Sequence, residues 1–142
     1  MINLEISGLN EVLAAIEELG DVPEMKKALG KACAVVERSA KEKAPKDTGE
    51  LRRSITSKVE EREGKIEGIV FTPLEYAPYV EYGTGLFAEN GNGRKDVPWW
   101  YKDDKGEWHR TSGQHPQPFM RPALNENREQ ILRILKEALS ND

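Results

Sequence analysis

The sequence predicts an α+β fold, a small antiparallel sheet with a long N-terminal helical segment and a C-terminal helix packed on it. Two patterns set the helices and one sets the sheet. Apolar residues recur every three or four positions through residues 25–40 and again through 124–139, as in helices buried along one side. Between them, two runs of strand-like composition flank Glu63-Gly64, a turn that makes them an antiparallel hairpin.

Ile2-Asn3-Leu4-Glu5-Ile6 alternates apolar and polar residues as a half-buried strand does, and Ser7-Gly8 closes it. Asn10 is then an expected helix cap, because Val12, Leu13, Ile16 and Leu19 follow at helical spacing until Gly20. Pro23 suits the first turn of a second helix, whose stripe is Met25, Ala28, Leu29, Ala32, Val35, Val36 and Ala40. Ala44-Pro45 ends it, since proline offers no N–H and disfavours helical backbone at its predecessor. Asp47 and Glu50 have the spacing of a capping box and predict one or two helical turns. Ile55 to Val59 and Lys65 to Phe71 are the paired strands, and Tyr76 to Gly85 is a short aromatic segment closed by glycines.

From Leu86 to Pro118 the composition shifts to Gly, Asn, Pro and charge, interrupted by Val97-Pro98-Trp99-Trp100-Tyr101 and Glu107-Trp108-His109-Arg110. Asp103-Asp104-Lys105-Gly106 between those two predicts a hairpin carried on a long loop. Leu124, Ile131, Leu135, Ala138 and Leu139 mark the buried side of the last helix, with Arg128 as the polar residue in that register. The expectation is one domain over residues 1–142, with the loop and hairpin at 86–115.

A chain of 142 residues buries well over half of its unfolded surface and needs no staple to fold. No apolar run approaches a membrane span, and the first residues lack the charged and apolar regions of a signal peptide, so a soluble protein made in a cytoplasm is expected. Cys33 is the single cysteine, which excludes an internal disulfide and any multi-cysteine metal site; beside the apolar stripe it is expected in the core.

No catalytic, cofactor-binding or metal-binding constellation is present, and an enzyme is not expected. Asp47-Thr48-Gly49 has the letters of an aspartic-protease motif, but its flanks are charged where that motif needs a buried apolar strand. His109, His115 and Cys33 lack zinc spacing, and Cys33 lies mid-helix, away from the helix start that would activate a thiolate. Glu75 and Glu81 form the kind of acidic pair that any acidic chain offers. Gly83-Thr84-Gly85 lacks the further glycine and lysine of a phosphate loop and is expected to be a turn.

Two features bear on contacts with other molecules, each beside a plainer reading: aromatic residues that simply pack the hairpin on the body, and Lys and Arg that fill the solvated face of a long helix. All three tryptophans lie on the expected hairpin, and Trp99, Trp100, Tyr101 and Trp108 are the residue types that anchor interfaces. The net charge of −4 is also unevenly spread. Residues 1–25 carry six acids and no base, whereas residues 26–58 carry ten bases against four acids. Such a stretch could face an acidic partner, and Lys26, Lys27 and Lys31 at its start are candidate interface residues. The alternative is an accessory DNA-binding assembly factor that uses residues 26–58 on phosphates.

Three blocks, taken together, carry a resemblance. Lys43 to Ile55, reading Lys-Ala-Pro-Lys-Asp-Thr-Gly-Glu-Leu-Arg-Arg-Ser-Ile, is followed by Tyr76 to Thr84, reading Tyr-Ala-Pro-Tyr-Val-Glu-Tyr-Gly-Thr, and by Pro116 to Leu124, reading Pro-Gln-Pro-Phe-Met-Arg-Pro-Ala-Leu. In order and spacing this set resembles the HK97 gp10-like phage morphogenesis proteins, and the opening strand with Gly8-Leu9 also fits. The departure is the long Leu86 to Gln114 insertion. The resemblance implies a structural virion protein of a tailed phage or prophage, in the neck or tail-completion ring that joins head to tail. It implies a homo-oligomeric ring around the DNA path, with other neck, connector and tail proteins as partners, no membrane and no cofactor. It implies assembly in the host cytoplasm. The residues that carry it are Pro45, Asp47, Thr48, Gly49, Glu50, Tyr76, Tyr79, Glu81, Gly83, Thr84, Pro118, Phe119, Arg121 and Pro122, all with shape-making roles.

Overall fold

The computed structural model describes residues 2–7, 11–17, 22–46, 49–89, 91, 93–103 and 105–140. In chain order the elements are β1 (Ile2–Ser7), β2 (Glu11–Ile16), α1 (Val22–Lys43), α2 (Glu50–Ser54), β3 (Thr56–Arg62), β4 (Lys65–Phe71), α3 (Ala77–Tyr82), β5 (Trp99–Lys102), β6 (Trp108–Thr111) and α4 (Met120–Ser140), with a 3₁₀ turn at Gly85–Phe87. The chain divides into two units, residues 1–74 with 119–142, and residues 75–118.

The first unit is α+β as expected, a four-stranded antiparallel sheet in the order β1-β2-β4-β3 with α1 and α4 packed on it and on each other. Its hairpin turn is Glu63-Gly64, with φ of 53° and 75°; two consecutive residues of positive φ match the right-handed twist of the flanking strands. α1 runs from Val22 to Lys43 and stops before Ala44-Pro45. Glu24 in its first turn and Lys41 and Lys43 in its last complement the helix dipole.

Two local expectations are corrected. Residues 11–16 form strand β2, where helical spacing predicts a helix. A short apolar run fits both periods, and position decides between them. β2 lies between β1 and β4, and Val12, Ala14, Ala15 and Ile16 are all buried, so both of its faces need apolar residues. The cap of α2 is Gly49, with φ of 73° and no side-chain cap, where the spacing predicts a capping box from Asp47. Asp47 and Thr48 lie outside the described residues, as do Gly8, Leu9, Asn10, Leu19, Gly20 and Asp104.

Small residues set the distance between helix and sheet. Val12, Ala14 and Ile16 stand opposite Val70, Gly68 and Ile66, and their alternation places all six on one side of the sheet. A Cβ at Gly68 would sit 2.7 Å from the Cys33 sulfur and 3.3 Å from Leu29 Cδ2. Cys33 is accordingly a core residue, and burial, with Glu37 nearby, pushes its thiol up to about 11. Gly68→Ala is expected to lower stability to chemical denaturation by about 1–3 kcal/mol through overpacking. Cys33→Ala in the same chain should recover part of that loss; strictly additive losses would show that this contact does not set the spacing.

Candidate interaction surface

The second unit is built on close backbone approach. Gly83, Gly85 and Gly113 have φ of 85°, 59° and 126°. The Thr84 N–H donates to the Gln114 carbonyl at 2.9 Å, the Leu86 N–H donates to the Ser112 carbonyl at 3.0 Å, and the Gln114 N–H donates to Thr84 Oγ1 at 2.9 Å. A Cβ at Gly83 would lie 2.7 Å from the Phe87 carbonyl oxygen, and a Cβ at Gly85 or Gly113 would overlap the facing strand of backbone. Only glycine allows this conformation and this separation at once. Gly83-Thr84-Gly85, expected as a turn, carries the chain from the end of α3 at Tyr82 into the 3₁₀ turn at Gly85–Phe87.

The expected hairpin is present as β5 and β6, with Trp99 opposite Thr111, Trp100 opposite Arg110, Tyr101 opposite His109 and Lys102 opposite Trp108. Asp103 organises its turn. One carboxylate oxygen accepts from the N–H groups of Lys105 and Glu107 at 2.9 and 2.8 Å, and the other meets His109 Nε2 at 2.7 Å. The His109 ring in turn stacks on Tyr101, with centroids 5.3 Å apart.

Opposite residues of an antiparallel pair share a face, so the ribbon has two distinct sides. One side carries Trp99, Tyr101, His109 and Thr111. The other carries Trp100, Lys102, Trp108 and Arg110, all exposed, with Trp100 and Trp108 at 62% and 63%. Lys102 Nζ stands 6.0 Å from the Trp108 ring. At the base of β5 a recess of about 480 Å³ opens between Pro78, Tyr79, Tyr82, Thr84, Ala88, Arg94 and Trp99. Arg94 lies over the Trp99 ring at 4.9 Å and pairs with Asp96 at 3.8 Å.

Every large hydrophobic side chain that is exposed among the described residues belongs to this unit: Tyr76, Tyr79, Leu86, Phe87, Trp100, Tyr101 and Trp108. Large exposed apolar patches on folded proteins commonly mark sites of interaction, which makes this unit the candidate surface. The tryptophan cluster was visible in the sequence, whereas the recess was not, because segments brought together through glycines form it.

The other candidates are dispersed. Lys26, Lys27 and Lys31 are exposed on α1, and Lys26 pairs with Glu61 at 3.0 Å. Pro45 follows α1, while Gly49 and Glu50 begin α2. Glu81 is fully buried and Glu75 exposed, which does not match a working carboxylate pair. Pro118 is exposed, Phe119 fully buried, and Arg121 and Pro122 are half-buried in the first turn of α4. His115 packs on Phe87, with centroids 3.9 Å apart.

Asp103, Glu107 and His109 form the group among the described residues that could hold a metal ion, their ligand atoms all within 4.8 Å of one another. Both Asp103 oxygens are already engaged in the turn, which accounts for the geometry without an ion.

Residues 10–83 match the family model HK97-gp10-like, described as "Bacteriophage HK97-gp10, putative tail-component". The chain belongs to the HK97-gp10-like family. It is a structural phage tail component, and the match takes in the block Lys43 to Ile55 and all of the block Tyr76 to Thr84 except its last residue. The third block and the hairpin lie beyond the matched residues. No curated protein and no solved structure matches the chain. No helix among the described residues is long and apolar enough to cross a membrane.

The hydrogen bond to His109, then the Glu107 N–H, hold the Asp103 carboxyl below its ordinary value of 3.8. A depressed folded value means that the contribution of this carboxylate is complete above the unfolded value and is lost as pH falls through the lower folded one. The hairpin is expected to loosen below about pH 4, seen by tryptophan fluorescence. Asp103→Asn should remove that acid transition, and an unchanged acid response in the variant would refute the role assigned to this carboxylate.

Proposed function

We propose that this family member is a non-enzymatic structural protein of the neck or tail-completion ring, which joins head to tail in a tailed phage or prophage. It works there as a homo-oligomer around the DNA path, assembled in the host cytoplasm. Its partners are further copies and the adjoining neck, connector and tail proteins. The observation that carries this is the concentration of exposed aromatic residues in residues 75–118, beside a first unit whose apolar residues are largely spent on its own core. On this reading residues 1–142 act as one joining domain, with the 86–115 segment presenting the contact.

The DNA-binding reading gains nothing from the basic stretch, where Lys26, Lys41, Lys43 and Lys58 each pair with a carboxylate of the same chain. These exposed pairs are individually weak, yet they place acid beside the cations that phosphates would need.

Quantitative mass spectrometry of purified particles is expected to find a fixed copy number of this protein, comparable to other neck proteins. Complete absence from finished particles would rule the structural role out. Reversing Lys26, Lys27 and Lys31 to Glu should weaken assembly most strongly at low salt, where surface charges are least screened. An unaltered oligomer mass in low salt would remove these lysines from the interface.

A further inference from the structure

We propose that the exposed tryptophan face of the hairpin in one copy docks into the recess beside Tyr79 and Trp99 in a second copy, giving a head-to-tail contact. This rests on the structural reading above and names the partner of that surface.

Three observations carry it. First, a projection and a recess of matched chemistry occur in one unit. Trp100 and Trp108 project from one side of the ribbon, and the recess of about 480 Å³ has aromatic walls in Tyr79, Tyr82 and Trp99, room for an indole. Second, the recess has an acid at its rim for the cations of the projection. Lys102 and Arg110 flank the two indoles, and among the paired residues of the ribbon no acid shares their side. Arg94 lines the recess, and its partner Asp96, with a side chain 96% exposed, is the acid there that Lys102 or Arg110 of a docking copy would meet.

Third, the two parts face opposite ways. Trp99, which lines the recess, alternates with Trp100 along β5, so projection and recess lie on opposite sides of the ribbon. One copy therefore cannot fill its own recess with these side chains, and a docked copy still offers a free recess. A contact between two different patches propagates, closing into a ring where the rotation permits.

The test is sedimentation velocity over a concentration series at low salt, on the full chain and two variants. The wild type is expected to grow in mass with concentration. Trp100→Ser with Trp108→Ser removes the projection, and Tyr79→Arg, at a side chain already 61% exposed, spoils the recess and opposes Lys102 and Arg110. Each variant alone should weaken association by roughly thirtyfold or more, the scale of a buried interface tryptophan. Mixed in equal amounts, they should form dimers and nothing larger, since one intact projection meets one intact recess. Circular dichroism checks that both variants keep the wild-type fold. A wild-type protein that stays monomeric throughout, association indifferent to either variant, or no dimer in the mixture would each overturn the proposal. A monomer that is nonetheless present at fixed copy number in particles overturns the self-contact alone, and points to another tail protein as the occupant. Absence from particles overturns the structural role instead.

Discussion

The close approach of α1 to β4 at Gly68 is the constraint on which the first unit depends. The helix presents Ala28, Leu29, Ala32 and Cys33 where a larger stripe would hold it off the sheet, and the sheet answers with Ala14 beside Gly68. At that separation α1 also meets α4, and Ile131 and Leu135 of α4 close the same core. Packing at this density tolerates little change in volume, which is why small residues there are as consequential as large ones. The single cysteine belongs to this seam, and its raised thiol follows from the burial that the seam requires.

The second unit solves a different problem with the same kind of residue. It contains few long elements, so its backbone groups must find partners in neighbouring loops. Gly83, Gly85 and Gly113 allow two loop segments to lie close enough for the hydrogen bonds among Thr84, Leu86, Ser112 and Gln114. A frame of backbone holds the chain there, and most of its aromatic side chains remain exposed. Gly83-Thr84-Gly85 is thus architecture, and the surface it supports is the one on which the proposed contact is drawn.

How much of this could be read from sequence depended on length and locality. α1 and α4 were legible because a stripe sustained over several turns leaves no competing period. The β3–β4 and β5–β6 hairpins were legible because their turn residues are local, Glu63-Gly64 in one and Asp103 with Gly106 in the other. β2 was not, since a run of six residues fits helix and strand alike and only its place between two strands decides. The start of α2 failed similarly: the spacing of Asp47 and Glu50 is local, but Gly49 in a left-handed conformation begins the helix. The recess was beyond reach, because Thr84 and Gln114 meet across thirty positions of chain.

Exposure of two indoles on one ribbon face has a cost that argues about purpose. An aromatic side chain buries roughly 150–250 Å² when it packs, and leaving it in water forgoes that gain. β5 shows that the chain can partly shelter a tryptophan, since Trp99 is half-buried against Arg94 while its neighbour Trp100 is not. The difference between two adjacent tryptophans is set by strand alternation alone. A fold that wished only to hide its aromatic residues would place Trp100 and Trp108 on the Trp99 side. Putting them opposite, with Lys102 and Arg110 beside them, sets two indoles among cations on an exposed face and leaves their burial unspent within the chain. That arrangement is the one the proposed contact calls for, and it agrees with the tail-component family that residues 10–83 match.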